Sequence, residues 1–108
     1  MYKSNTSAVI VKGARFMPCT LSDENSGKTY EINVKEPKLK VFKQFESLGE
    51  NSGVEDIIEA AAAILNSNKE GIAITANFVG ENFTLDEITQ FFEDFTNWIA
   101  AARSNNPN

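Results

Sequence analysis

The side chains that most often perform catalysis occur in few usable combinations in this chain of 108 residues. There is no histidine, so the Ser–His and Cys–His couples of nucleophilic enzymes cannot form. The single cysteine, Cys19, has no thiol partner within the chain and is expected to be a small buried apolar residue. No glycine-rich phosphate-binding motif is present. The sequence therefore predicts a protein that is not an enzyme and needs no cofactor.

The carboxylates are the remaining candidates for chemistry. Asp23 and Glu24 do not continue into the spacing of a calcium-binding loop, and the usual zinc sites need histidine. Other carboxylates lie close together along the chain, at Glu55, Asp56 and Glu59, at Asp86 and Glu87, and at Glu93 and Asp94. Each group falls on a predicted helix surface, where a solvated face explains it better than acid–base catalysis. We therefore predict no metal site and no catalytic pair.

The first third of the chain predicts a small antiparallel β element. Extended segments at residues 7–12 and 14–21 are followed by turn-forming residues up to Gly27, and Pro18 suggests a sheet edge or a bulge. Apolar and polar residues then alternate, so that Tyr30, Ile32 and Val34 share one face. Residues 1–35 are therefore expected to form two or three strands.

Helical spacing dominates the rest of the chain. Apolar residues recur at intervals of three and four, which predicts helices over about 37–48, 54–66 and 85–103. Thr84 and Glu87 have the spacing of a capping box at the start of the last helix. Residues 72–78 fit either a strand or a helix. The predicted fold is α+β in a single domain: a β element over 1–35, a bundle of three or so helices over 36–103, and a disordered tail over 104–108.

The last predicted helix, within FTLDEITQFFEDFTNWIAAAR, is unusually aromatic. Phe92 and Phe95 follow its apolar row and are expected to pack in the core together with Ile99. Phe91 and Trp98 flank that row on opposite sides, and we predict that a partner protein shares them, because aromatic residues dominate interface hot spots. The alternative is that all four aromatic side chains pack within the chain.

A second candidate interaction surface is the extended edge that contains Val9 and Val11. An unpaired strand edge is a template for an added strand from another protein. The alternative is a short edge with no partner.

Charge is distributed unevenly. Residues 1–48 hold eight Lys/Arg and five Asp/Glu, a net charge of +3, whereas residues 49–108 hold two and ten, a net charge of −8. The exposed carboxylates Glu55, Asp56 and Glu59 are candidates for contact with a basic partner, or with the basic half of a second subunit. The pI of about 4.7 and the lack of clustered arginine argue against nucleic-acid binding.

The order of segments resembles the small tail assembly chaperones of long-tailed bacteriophages. A strand leads through "EPK" into a helix in YEINVKEPKLKVFKQFESL, an acidic helix GVEDIIEAAAAIL follows, and FTLDEITQFFEDFTNWI supplies a capped helix near the end. The resemblance covers roughly residues 28–100 and is one of pattern. The family has no catalytic residues to transfer.

This resemblance implies a function. Such chaperones coat the long, helical, aggregation-prone tape-measure protein during tail assembly, often oligomerise, and leave before the tail is complete. Some are also made as a longer frameshifted form that recruits the tail-tube protein, and this chain would be the short form. The expected location is the cytoplasm of the bacterial host, with no membrane contact, since the longest apolar run, residues 60–65, is far too short for a membrane span.

Two alternatives belong to other classes. A small acidic inhibitor could mimic the charge of nucleic acid through the ten carboxylates that follow Leu48. A minor structural protein of the phage particle would persist in finished virions, where a chaperone would be absent.

Overall fold

The computed structural model describes residues 2–4 and 16–104, and these form an α+β fold, as the sequence pattern predicts. The strands are β1 (Tyr2–Ser4), β2 (Phe16–Ser22) and β3 (Thr29–Lys35). The helices are α1 (Leu39–Glu46), α2 (Val54–Leu65), α3 (Ala76–Asn82) and α4 (Leu85–Ser104).

The three strands form an antiparallel sheet in the order β1-β2-β3. The turn between β2 and β3 is closed by the N–H of Gly27, which donates to the carbonyl of Asp23 at 2.8 Å, and Gly27 has a left-handed conformation, with φ of 74°. Pro18 lies within β2 opposite Asn33, and the register there continues without the expected bulge. The predicted strand at residues 7–12, with Val9 and Val11, lies outside the described residues.

The sheet turns one face towards the helices. Alternation along β2 and β3 places five side chains in the core, namely Met17, Cys19, Leu21, Ile32 and Val34. The predicted face of β3 is therefore confirmed for Ile32 and Val34, while Tyr30 is half-buried and contacts Phe78 of α3 edge-on at 6.0 Å.

Three helices match the predicted ones within two residues at each end. The capping box at the start of α4 is also confirmed, because the N–H of Thr84 donates to Glu87 Oε1 at 2.9 Å and the N–H of Glu87 donates to Thr84 Oγ1 at 3.1 Å. These bonds satisfy backbone donors that the first helical turn leaves without an intrahelical acceptor.

Residues 72–78 fit either a strand or a helix by their sequence pattern. In the structure, the first part of this segment is extended and the last part belongs to α3. The extended part is held by side chains upstream, since the N–H groups of Ile72 and Ile74 donate to Asn68 Oδ1 and Asn66 Oδ1, both at 2.9 Å. Thr75 then accepts a hydrogen bond from the N–H of Phe78 at 3.0 Å and begins α3. A fourth helix is thus added to the three predicted from periodicity.

Candidate protein-binding groove

The two aromatic residues predicted to meet a partner lie in the core of the fold. Phe91 is 0% exposed and Trp98 is 2% exposed. The Phe91 ring lies edge-on to Tyr2 of β1, with ring centroids 5.3 Å apart, and Trp98 lies 6.1 Å from Phe95. The prediction that Phe91 and Trp98 flank the buried row is wrong, because both side chains are themselves buried, Phe91 against Tyr2 of β1 and Trp98 against Phe95. Neither side chain offers surface to a partner while this fold is intact.

Of the three residues assigned to the core, Phe95 is buried as predicted, whereas Phe92 and Ile99 are half-buried on the side of α4 that α1 partly covers. Phe92 is half-buried against Phe45 of α1 at 5.2 Å, and Phe95 contacts both Phe45 and Phe42, at 5.3 and 5.9 Å. The aromatic side chains of α4 therefore pack partly in the core and partly against α1. They stabilise the fold.

Among the described residues, an open apolar surface lies in a groove between α2, α3 and the start of α4. The groove has a volume of about 220 Å³. Its lining is predominantly apolar and comprises Val54, Ile57, Ile58, Val79, Gly80, Phe83, Thr84, Leu85 and Ile88. We call this surface the α2–α4 groove. Small-molecule pockets are generally larger, roughly 300 Å³ and above, so its size suits a few side chains of a protein partner better.

Two residues at the rim of the groove are large, apolar and exposed. Val54 is 67% exposed and Leu85 is 70% exposed, and each is the first residue of its helix. A third exposed apolar residue, Leu39, is 85% exposed at the start of α1 and does not line the groove. The groove therefore combines a recessed apolar lining with an apolar rim, which is typical of protein interaction sites.

Acidic residues adjoin this apolar lining along the chain. Glu55, Glu81 and Asp86 directly follow the lining residues Val54, Gly80 and Leu85, and all three are exposed. Among residues 54–88 the sequence contains seven Asp/Glu and one basic residue, Lys69. This part of the chain is therefore predominantly acidic, although the Glu81 carboxylate itself bonds to Asn25 and Asn77 and none of the lining residues is charged.

The predicted acidic cluster is exposed, and it has a structural role as well. Glu55, Asp56 and Glu59 are three and four residues apart or adjacent, so they share one solvent-facing side of α2. Asp56 Oδ2 accepts a hydrogen bond from the N–H of Gly53 at 3.0 Å and so helps to begin the helix. Asp56 and Glu59 also line a polar cavity next to α1, away from the groove, whereas Glu55 follows the rim residue Val54.

Cys19 is buried, as expected, and its surroundings disfavour the thiolate. Burial, and then the nearby charge of Asp94, raise the pKa of the Cys19 thiol from 9.0 to about 12, against a smaller lowering contribution from a hydrogen bond with Tyr2. The thiol donates weakly to the carbonyl of Met17 at 3.7 Å. A group held in this protonated form is unsuited to nucleophilic attack.

We predict that Cys19 resists thiol-specific reagents in the native protein at mildly alkaline pH and reacts readily after denaturation. The raised pKa also has a consequence for stability. The stabilisation from the protonated thiol is complete below the unfolded value of 9.0 and is lost as the pH rises towards the folded value of about 12. Labelling rates measured with and without denaturant check the first expectation, and rapid labelling of the native chain would contradict it.

The groove is the site that sequence reasoning did not find. Val54, Ile57 and Ile58 belong to a single apolar stripe, and the spacing alone does not indicate that part of the stripe remains uncovered. The one available signal was Gly80, a glycine inside a segment that could be read as helical.

Two further properties concern only the part of the chain that the structure describes. No group of three His, Cys, Asp or Glu side chains within residues 2–4 and 16–104 could hold a metal ion. None of the helices between residues 39 and 104 is both long enough and apolar enough to cross a membrane.

No protein-family model matches the chain, and neither a curated protein nor a solved structure is significantly similar to it.

Proposed function

We propose that this chain is a non-enzymatic tail assembly chaperone of a long-tailed phage, which binds the tape-measure protein in the cytoplasm of the bacterial host. The observation that carries the proposal is the α2–α4 groove, an apolar surface that the described residues leave open, in a chain whose sequence pattern resembles that family. A chaperone for a long helical protein needs such a surface to cover apolar segments before they are assembled.

The net negative charge of the chain supports the same role. Net charge of one sign keeps a protein with exposed apolar surface soluble and opposes indiscriminate self-association. The basic first half and acidic second half of the chain would also allow subunits to bind side by side along a tape-measure protein. The chaperone is then released and is absent from the finished virion.

The test is co-expression with a tape-measure protein of a long-tailed phage. We expect the wild-type chain to keep that protein soluble and to copurify with it. The double variant Val54→Ser/Leu85→Ser removes the apolar rim, and we expect it to lower the copurified tape-measure protein by roughly tenfold, the equivalent of about 1.4 kcal/mol.

A matched control is available in Leu39→Ser, which also replaces an exposed apolar residue at the first position of a helix, away from the groove. All three positions are exposed, so each substitution is expected to change the free energy of unfolding by no more than about 0.5 kcal/mol. If the double variant and the control behave alike, the groove does not bind the tape-measure protein.

An acidic inhibitor that mimics nucleic acid is the second candidate, because Glu55, Asp56 and Glu59 are exposed on one side of α2. Reversing these three charges to lysine would abolish inhibition of a nucleic-acid-binding enzyme by such a mimic. The Val54→Ser/Leu85→Ser variant would leave that inhibition unchanged. The two variants therefore separate the two functions.

A further inference from the structure

The side of β2 that faces β1 has a missing backbone donor. In β3, the carbonyl of Asn33 accepts a hydrogen bond from the N–H of Lys69 at 2.9 Å, so it points away from β2. Asn33 is opposite Pro18, and the backbone groups of both residues in such a pair point outward, which directs those of Pro18 towards β1. Because proline has no N–H, the ladder between β1 and β2 lacks a donor at this position.

Backbone pairing is a small part of what holds β1 in place. Thr20 of β2 also points towards β1, where it is opposite Lys3, and these two form the hydrogen-bonded pair that residues 2–4 contribute to the ladder. The N–H of Tyr2 points the other way and donates to Glu87 Oε2 of α4 at 3.2 Å. Segments with so few backbone bonds open at a lower free energy than the core does.

The contacts of β1 with the helices are concentrated on Tyr2, whose side chain is 8% exposed. Its hydroxyl donates to Asp94 Oδ2, and its ring stacks on Phe83 with centroids 5.6 Å apart and lies edge-on to Phe91. A hydrogen bond also links the Tyr2 side chain with Cys19 of β2. One residue thus attaches β1 to α4 and covers the thiol.

Glu87 connects this attachment to the start of α4. Its Oε1 accepts from the N–H of Thr84 in the capping box, and its Oε2 accepts from the N–H of Tyr2. Burial raises the pKa of Glu87, but the hydrogen bonds from the N–H groups of Thr84 and Tyr2 contribute most to an opposing decrease that leaves this pKa below its usual 4.5. The carboxylate is therefore ionised near neutral pH, and hydrogen bonds to an ionised acceptor are stronger than neutral ones.

The recess that the Tyr2 side chain fills is next to the α2–α4 groove. Phe83 lines the groove and is half-buried, and its ring also forms one wall of the recess, because it stacks on Tyr2. Movement of β1 away from α4 would empty the recess and uncover the side of Phe83 that Tyr2 now covers. The groove would then continue past Phe83 into a space that fits an aromatic side chain.

We propose, building on the chaperone function above, that β1 is a strap that opens while the rest of the fold stays intact, and that its opening joins the recess of Tyr2 to the α2–α4 groove. The bonds of Tyr2 to Glu87 and Asp94 close the strap in the free protein. The closed strap limits the apolar surface that is exposed before a partner arrives. The tape-measure protein binds the open form and shifts the equilibrium towards it.

Cys19 reports whether the strap opens, because Tyr2 covers its thiol. The rate at which a dithiodipyridine reagent labels Cys19 in the full chain is measured at increasing urea concentrations, up to the unfolding transition. Opening of β1 alone exposes little surface, so we expect the rate to depend only weakly on urea well below the transition. Labelling through global unfolding would instead rise steeply with urea throughout.

Glu87→Gln weakens the strap and keeps the start of the helix. The glutamine oxygen still accepts from the N–H of Thr84, as in capping boxes that contain Gln, but its NH₂ group cannot accept from the N–H of Tyr2. We expect labelling of Cys19 without urea to become roughly tenfold faster, as for the loss of a hydrogen bond to a charged group. The control is Asp86→Asn, which neutralises an exposed carboxylate in the same helical turn and should leave the rate close to that of the wild type.

Two results would overturn the strap. If labelling of the wild type rises with urea as steeply as unfolding does, the thiol is reached only through global unfolding. If Glu87→Gln labels no faster than Asp86→Asn, the bond between Glu87 and Tyr2 does not close β1. In either case copurification of the tape-measure protein through the Val54 and Leu85 rim would leave the chaperone function standing.

Copurification tests the connection between the strap and the groove. A larger open fraction raises the apparent affinity for a partner of the open form, so we expect Glu87→Gln to retain severalfold more tape-measure protein than Asp86→Asn does. Equal amounts would show that the recess of Tyr2 is not part of the binding surface. If the strap opens as expected but the tape-measure protein copurifies with neither variant nor the wild type, the strap stands and the chaperone function fails.

Discussion

Trp98→Ala is expected to destabilise the protein by about 3–5 kcal/mol, the range found when a large buried aromatic side chain is reduced to a methyl group. Trp98 is 2% exposed and packs against Phe95, so its removal leaves a cavity that the surrounding helix and sheet fill only in part. A loss of this size is a large share of the roughly 5–15 kcal/mol that stabilises a typical domain. Urea-induced unfolding followed by far-UV circular dichroism measures it.

The control for this substitution is Leu39→Ala, which shortens an apolar side chain that is 85% exposed. It should change the free energy of unfolding by no more than about 0.5 kcal/mol. A Trp98→Ala protein with near wild-type stability would show that this side chain is not part of the core.

This expectation changes how partner binding should be tested. Trp98→Ala would reduce binding to any partner simply by unfolding the chain, so loss of binding in that variant carries no information about an interface. Val54 and Leu85 are the informative positions, because their side chains are exposed and their replacement leaves the core intact.

The second large effect is expected at Asp94, a carboxylate that is only 4% exposed. Its Oδ2 accepts a hydrogen bond from the hydroxyl of Tyr2 at 2.7 Å, and its Oδ1 accepts one from Gln90 Nε2 at 2.8 Å. The first of these bonds joins β1 to α4 across 92 residues of sequence. Asp94→Ala removes the acceptor of both bonds, and we expect it to cost about 2–3 kcal/mol, as for buried hydrogen bonds to a charged group.

A neighbouring residue provides the control for Asp94. Glu93→Ala deletes an exposed carboxylate one position earlier on the same helix and should be close to neutral. A double-mutant cycle with Tyr2→Phe isolates the contribution of the Tyr2–Asp94 bond, which we expect to couple the two residues by about 1 kcal/mol or more. If Asp94→Ala and Glu93→Ala have the same effect, the bond does not anchor β1.

The groove and the buried Tyr2–Asp94 bond lie on different parts of α4, but Tyr2 connects them, because its ring stacks on the lining residue Phe83 with centroids 5.6 Å apart. Leu85 begins the helix at the groove, whereas Asp94 lies more than two turns further along. Substitutions at Asp94 are therefore expected to lower stability, and they are not suitable controls for binding at the groove.

The local features of this fold follow from the sequence. Alternation in the first third predicted β3 and its buried face, turn-forming residues predicted the β2–β3 hairpin, and the Thr84/Glu87 spacing predicted the start of α4. Each of these features depends on residues within about one helical turn or one hairpin of each other. Short-range hydrogen bonds and the alternation of side chains along a strand therefore fix their geometry. The same reasoning could not choose a structure for residues 72–78, because the side chains of Asn66 and Asn68 hold the extended part in place.

The tertiary structure alone decided which side of α4 is buried. Phe91, Phe95 and Trp98 follow one helical row, and Phe92, Phe95 and Ile99 follow another, and both rows have the spacing of a core face. β1 packs on the first row through Tyr2, and α1 packs on the second through Phe45, which leaves Phe92 and Ile99 half-buried. The α2–α4 groove likewise exists because three separate helices meet without covering Val54, Gly80 and Leu85. Periodicity identifies an apolar face, but what covers that face depends on contacts between elements far apart in the chain.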